Sequence, residues 1–295
     1  MRQILLLIAA VALAGCGKKT TPAEPETNAE PTPAEKAAAD KATAEKATAI
    51  KKVADEAQAN AFVNTLGMKF VPVPGTEVQF CIWETRVKDY ATYAAANAGV
   101  NGKWKQTPAY FKEKGIKQTD THPVVEVSWE DAGAFCEWLT KKEMAEGKIK
   151  GGQKYRLPTD AEWSVAVGLG QEKGNTPKEK KAGIKGVYPW GKEWPPPKGA
   201  GNYYNSLKVD NFEYTAPVGS FAANKFGLHD MGGNVWEWCE DWSDPVEKTY
   251  RVRRGASWSD DRRDPLLSTR RDGTTPYGTG SAYGFRCVLV GGSGG

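Results

Sequence analysis

The sequence predicts an α+β fold with an irregular, mainly antiparallel sheet, two or three helices and many loops. Three observations carry that prediction. Apolar runs such as Lys69–Val73 and Val78–Trp83 are short and bounded by Gly, Pro and Thr, as strands are. Few stretches combine a 3.6-residue apolar period with capping residues. The chain also holds 32 Gly, 11 Trp and 11 Tyr in 295 residues, a turn-rich and aromatic-rich composition.

The N-terminal segments come first. In residues 1–16, Arg2 precedes the apolar run Ile4–Leu13, and Leu13-Ala14-Gly15-Cys16 closes it in the manner of a secretory signal. Cleavage before a cysteine in that setting is similar to the bacterial lipoprotein lipobox, so Cys16 is expected to carry a lipid. The expected location is the bacterial cell envelope, anchored to a membrane outside the cytoplasm. Residues 17–60 are Ala, Glu, Lys, Thr and Pro with almost no large apolar side chain, which predicts a tether. Its Pro-rich part, Thr20–Pro33, should be extended, and Ala34–Ala59 should form a semi-rigid helix without an apolar stripe broad enough to dock. Residues 61–290 form the expected globular domain, and 291–295 a flexible Gly/Ser tail.

The net charge of +4 is small and spread along the chain, with no basic helix, which argues against a nucleic-acid partner. Besides Cys16, the cysteines are Cys81, Cys136, Cys239 and Cys287. In an oxidising compartment four cysteines allow three pairings, and their spacing does not choose among them.

Within the domain, Thr85 can cap a helix whose apolar face is Val87, Tyr90, Ala91 and Ala94 and which Gly99 ends. Val124–Val127 reads as a strand. Ser128 with Asp131 makes a capping box for a second helix that buries Trp129, Ala132, Phe135, Cys136 and Leu139. A further capping box, Thr159 with Glu162, opens a short helix that turns Trp163 to the core and stops near Gly168. Gln171–Lys185 is polar and aperiodic, a solvated loop. His122 and His229 are expected to be hydrogen-bonded structural residues.

The most distinctive stretch is Gly227–Trp242, GLHDMGGNVWEWCEDW. A strand there puts Trp236 and Trp238 on one face and Glu237 on the other, with the carboxylate standing beside exposed carbonyls. Oxygen donors so grouped suit a hard cation such as calcium.

HPVVEVSW (122–129), RLPTDAEW (156–163), YPWG (188–191), TAPVGSF (215–221), the stretch above, RRGASW (253–258) and GFRC (284–287) follow one another in an order that resembles the formylglycine-generating enzyme, or sulfatase-modifying factor, family. The resemblance covers about residues 64–290 and implies that family's variant of the C-type lectin fold. Enzymes of the family oxidise a sulfatase cysteine to formylglycine with oxygen, using two copper-binding cysteines. Those positions correspond here to Asp260 and Pro265, so no copper is expected. Iron-dependent sulfoxide synthases on the same scaffold need a His-rich helical domain, whereas this chain has two His and no HxxxHxE stretch. The expectation is a non-catalytic recognition or scaffold module, the alternative an oxidoreductase of the family with altered metal chemistry through Asp260.

The resemblance also implies structural calcium at two sets of residues. The first comprises the side chains of Asn202 and Asp210 with the carbonyls of Tyr203 and Phe212; the second, the side chains of Asp230 and Glu237 with the carbonyls of Gly233 and Val235. It implies a disulfide between Cys136 and Cys287. Cys81 and Cys239 have no such guide and are expected to be buried small hydrophobes, with a bond between them left open. The surface matching the family's active groove would be formed by Trp258, Asp260, Asp261, Arg263, Arg271 and Tyr283, with Arg262, Asp264, Arg270 and Tyr277 around them. Arg, Tyr and Trp carry much of the energy of recognition surfaces, and a protein, peptide or glycan is the expected partner.

Overall fold

The runs at 69–73 and 78–83 are apolar because their side chains enter a core on each face. In the computed structural model, which describes residues 32–291 apart from residues 171 and 182, β1 (Phe62–Val63), β2 (Lys69–Pro72) and β3 (Val78–Cys81) form an antiparallel meander. Its register sets Phe70 opposite Cys81 and Val71 opposite Phe80. The period of two sends Phe70 and Cys81 into one core with Tyr90, Phe135, Trp238 and Phe285, and Val71 and Phe80 into another with Trp163, Leu228 and Val252.

Helices lie between the strands, and they send Tyr90 and Phe135 into the first core and Trp163 into the second. They are α2 (Val87–Ala96), α3 (Ala109–Glu113), α4 (Trp129–Ala145), α5 (Asp160–Ala166) and α6 (Pro177–Lys180); an N-terminal helix, α1, spans Pro33–Ala59. β4 (Lys154–Arg156) and the last strand, β9 (Val288–Val290), complete the first sheet in the order β1-β2-β3-β9-β4, antiparallel throughout. The second sheet contains β5 (Trp236–Trp242), β6 (Arg251–Arg254), β7 (Asp272–Thr274) and β8 (Tyr283–Gly284) in the order β7-β6-β5-β8, with only the β5–β8 pair parallel. The α+β expectation is met, with α2, α4 and α5 at the predicted places.

Both predicted capping boxes form. Ser128 Oγ accepts from Asp131 N at 3.1 Å while the Asp131 carboxylate accepts from Ser128 N at 2.9 Å. Thr159 and Glu162 do the same at 3.2 and 2.8 Å, and Gly168, at φ 93°, follows α5 in the left-handed region expected of a helix stop. Two local expectations differ. The α2 cap is Arg86, whose N–H donates to Asp89; Thr85 instead donates its N–H to Phe285 O, pinning the segment to the chain before β9. Val124, Val125 and Val127 are buried but form no strand, because Glu126, at φ 58°, breaks the extended run.

The chain divides into two units, residues 1–43 and 44–295. The described part of the first is the opening of α1. Within the second, the end of α1 docks on the domain, contrary to the tether expectation. Ala54 is buried, Ala57 packs on the second core, and Gln58 donates to Gly227 O at 2.8 Å. Two small alanines and one amide suffice where a broad stripe is missing. Gln58 also meets His229 Nε2 at 3.0 Å, and His229 Nδ1 lies 2.8 Å from Phe221 O, so this histidine is structural as expected. His122 Nδ1 lies 3.0 Å from Thr215 Oγ1, and burial holds its pKa below the ordinary value.

All four cysteines of the domain are buried. Cys136 on α4 and Cys287 before β9 face each other as thiols with Sγ atoms 3.5 Å apart, longer than the about 2.05 Å of a disulfide. Cys81 lies in the core that holds Cys136 and Cys287, whereas Cys239 lies in the other core, so the two are not brought together. Burial pushes the Cys81 thiol up to about 12, in keeping with an inert small hydrophobe. The lipidation position, Cys16, and the signal reading lie outside the described residues, as do residues 292–295. Among the described residues no helix is long and apolar enough to cross a membrane.

Candidate functional site

The loop that enters β5 is shaped by close approach. A Cβ on Gly233, which sits at φ 83°, would stand 2.4 Å from Asn202 O, and one on Gly232 would stand 2.4 Å from Pro189 Cγ. The next residue, Asn234, is fully buried and ties four segments together. Its Nδ2 donates to Glu84 Oε2 at 2.6 Å, its Oδ1 accepts from Ala216 N at 2.9 Å and Asn202 Nδ2 at 3.1 Å, and its carbonyl accepts from Trp258 N at 3.0 Å. This hub places the first oxygen set beside the root of the 258–283 surface.

In that first set, Asn202 Nδ2 also donates to Tyr214 O at 2.7 Å, which fixes the amide and leaves Asn202 Oδ1 buried without a donor. Asp210 accepts from the N–H groups of Tyr203 and Phe212 at 3.0 and 2.8 Å. Burial raises its pKa and those two bonds offset the rise only in part. An orphaned amide oxygen beside a partly buried carboxylate, with peptide oxygens at hand, fits a hard cation.

The second set is organised differently. Glu237 does not stand beside solvent: it is buried, because both faces of β5 are covered. Its Oε2 accepts from Arg286 Nε at 2.8 Å and Trp163 Nε1 at 2.9 Å, and its Oε1 from Arg286 Nη2 at 2.6 Å. Asp230, at φ 55°, accepts from Gly219 N at 2.7 Å, and the Arg286 guanidinium also reaches the carbonyls of His229 and Asp230. Arg286 thus supplies positive charge beside Glu237. Burial, reinforced by Asp230 and Glu237, holds Glu84 well above the usual carboxylate range, and burial raises Asp230 as well. Among the described residues no three His, Cys, Asp or Glu side chains converge to hold a metal by themselves, so any ion here depends on amide and peptide oxygens.

The expected ligand surface is only partly on the outside. Asp260, at the first of the two copper-cysteine positions, turns one oxygen inward. Oδ2 accepts from Ser257 Oγ at 2.7 Å, Ser257 N at 3.0 Å and Trp236 Nε1 at 3.0 Å. Burial nonetheless leaves its pKa raised. Arg271 is not on the surface at all: it is 2 % exposed and paired with Asp160 and Glu172, which corrects its expected role as a ligand contact. The Gln171–Lys185 loop, expected to be solvated throughout, sends the Glu172 carboxylate in to meet it, bidentate at 2.7 and 2.6 Å.

What faces outward is Trp258, Asp261 and Tyr283, all half-buried, with Arg262, Arg263, Asp264 and Tyr277 exposed. Trp258 is braced edge-on by Phe111 and Tyr214 at 5.1 Å and donates to Ser281 O. Asp261 accepts from Ser206 at 2.8 Å, and the Arg263 guanidinium stands 5.2 Å from the Trp194 ring. Arg253, buried, stacks 3.6 Å from the Tyr283 ring and pairs with Asp272 at 2.8 Å. Braced aromatics flanked by charged side chains make up this face.

Sequence reasoning missed Glu84, Asn234, Arg253, Arg254 and Arg286. One signal was available for Arg286: it interrupts Phe285 and Cys287 in an otherwise apolar run, and a charge in such a run calls for a buried partner.

Comparison with known proteins gives the family. The model of the sulfatase-modifying factor enzyme 1-like domain matches residues 24–290. The inactive C-alpha-formylglycine-generating enzyme 2 of Mus musculus is 34 % identical over 201 residues, covering 63 % of this chain and 56 % of its own. The formylglycine-generating enzyme of Thermomonospora curvata is 31 % identical over 218 residues, covering 63 % of each chain. The structure of PvdO from Pseudomonas aeruginosa is 22 % identical at a TM-score of 0.49, covering 72 % of this chain and 80 % of its own. The chain spans little more than half the length of the mouse relative. With the family model covering nearly the whole described chain, the chain belongs to the sulfatase-modifying factor family.

Proposed function

We propose that this chain is a lipid-anchored, non-catalytic member of the family that works outside the cytoplasm as a recognition or scaffold module, presenting its 258–283 surface to a protein, peptide or glycan. One observation carries the reading. Where the family's enzymes hold copper through two cysteines, this chain has Asp260 and Pro265, and one Asp260 oxygen is committed to Ser257 and Trp236. Soft Cu(I) is selected by thiolates, which a carboxylate and a proline do not replace. The word "inactive" in the mouse relative's name supports the same direction. Trp258, Asp261, Arg263 and Tyr283 remain as the partner-facing groups, while Asp260 and Arg271 shape the surface from beneath.

Calcium is part of the proposal as a structural ion held by Asn202, Asp210 and the carbonyls of Tyr203 and Phe212; at the second expected set, Asp230, Glu237, Gly233 and Val235, the Glu237 carboxylate is taken by Arg286 and Trp163, so the guanidinium stands in the cation's place. The lipid on Cys16 would hold the module at a membrane. The functional test is incubation of the purified chain with a Cys-x-Pro-x-Arg peptide, copper and oxygen, followed by mass spectrometry. Unchanged peptide is expected, and formation of the aldehyde would overturn the non-catalytic reading.

A further inference from the structure

Apart from the 258–283 surface, the last turns of α1 form one wall of an open apolar groove. Ile50, Val53 and Ala57 recur at helical spacing along it, and Pro72, Pro74 and Phe226 line it as well. Its volume, about 520 Å³, lies in the range of small-molecule sites. Val53 is 52 % exposed although it lies in this apolar row, so the groove stands open.

The only charge on the lining is Lys225, whose ammonium stands 4.8 Å from the Phe226 ring and makes no ion pair among the described residues. The nearby cations of α1, Lys51 and Lys52, already face Asp55 and Glu56. An occupant complementary to this lining is aliphatic along its length and anionic at one end. A peptide fits poorly, since the backbone N–H and C=O groups it turned into the groove would meet no polar side chain other than Lys225. A second copy's α1 fits poorly as well, because that helix is mostly Ala, Lys and Glu.

We propose that the groove binds one long-chain alkyl carboxylate, its chain against Ile50, Val53, Pro72 and Phe226 and its carboxylate on Lys225. The test is displacement of a fluorescent fatty acid from the full chain carrying Cys16→Ser, which keeps an attached acyl chain out of the measurement. Decanoate, dodecanoate, hexadecanoate and octadecanoate are compared with 1-hexadecanol, hexadecyltrimethylammonium and anionic phospholipid vesicles. Expected are one site per chain and affinity that rises about threefold to fourfold per methylene until the groove is full, then levels off. Lys225→Glu should weaken hexadecanoate by about tenfold and leave 1-hexadecanol unchanged. Val53→Asp, at an exposed position, should remove both while the melting curve stays that of the parent. Any of four results overturns the proposal: no saturable binding, unchanged binding by Val53→Asp, tighter binding of the cationic amphiphile than of hexadecanoate, or binding to vesicles with none to the free acid. Self-association that disappears with Val53→Asp, without fatty-acid binding, would identify a second copy as the occupant and overturn it equally.

Discussion

Asp160→Asn probes the ion network that took Arg271 off the ligand surface. Asp160 is 1 % exposed at the start of α5, and its carboxylate accepts from Arg254 and from Arg271 Nε and Nη2, the latter two at 3.0 Å. The two arginines are not equally dependent on it. Arg271 keeps Glu172 as a second carboxylate, but Arg254, fully buried, pairs with no other carboxylate and keeps the carbonyls of Asp160, Ser268 and Arg270, the Ser164 hydroxyl and the Trp163 ring at 4.4 Å. Removing the charge therefore leaves a buried guanidinium uncompensated, a change that costs about 3–5 kcal/mol. At about 2–4 °C per kcal/mol for a domain of this size, the melting temperature should fall by about 6–20 °C at pH 7.

The same change has a signed pH dependence. Burial pushes the Asp160 carboxyl up, but the charges of Arg254 and Arg271 outweigh it and hold the folded-state pKa below the ordinary value. The stability it contributes is then fully present above the unfolded value of about 3.9 and is lost as pH falls through the folded pKa. Urea titrations of parent and variant across pH 7 to 3 should show a gap that narrows in acid. A gap under about 1 kcal/mol at pH 7, or one that widens on acidification, would refute the network's proposed role.

Three further outcomes follow from the fold. Calcium should raise the melting temperature of the chelator-treated chain, and Asn202→Ala and Asp210→Ala should each abolish that rise; a melting curve indifferent to chelator contradicts the structural ion. Oxidation that joins Cys136 to Cys287 should stabilise by about 4–5 kcal/mol relative to the reduced chain, since the bond closes a loop spanning 151 positions, and peptide mapping should find that pair linked. Gly233→Ala should cost about 3 kcal/mol or more in urea titration, because the new Cβ would stand 2.4 Å from Asn202 O at a left-handed position, whereas equal stability would mean the loop shifts freely.

Local chemistry was legible in the sequence and long-range pairing was not. Ser128 with Asp131 and Thr159 with Glu162 were readable because both partners of each capping box lie within one turn. The end of α1 was misread because its contacts are with Gly227 and His229, about 170 positions away. Alternation along β5 puts Glu237 opposite Trp236 and Trp238, beside exposed carbonyls; it does not show that Trp163 and Arg286 cover that face. Arg271 illustrates the same limit. Arg262 and Arg263 are exposed, whereas the carboxylates of Asp160 on α5 and Glu172 on the following loop, both distant in sequence, draw Arg271 inward. The oxygen set at Asn202 and Asp210 was named from the family's pattern, and the structure adds what the pattern lacks, an amide held by Tyr214 and Asn234 with its oxygen left over.

In the proposed reading, a sulfatase-modifying factor scaffold persists here without the family's copper chemistry. Mass spectrometry of a Cys-x-Pro-x-Arg peptide after incubation with the copper-supplemented chain and oxygen tests it most directly, with the Thermomonospora curvata enzyme as positive control. The peptide cysteine should stay unchanged in the presence of this chain. Conversion to formylglycine with repeated turnover, abolished by Asp260→Ala, would contradict it by showing that a carboxylate at the copper position supports the chemistry.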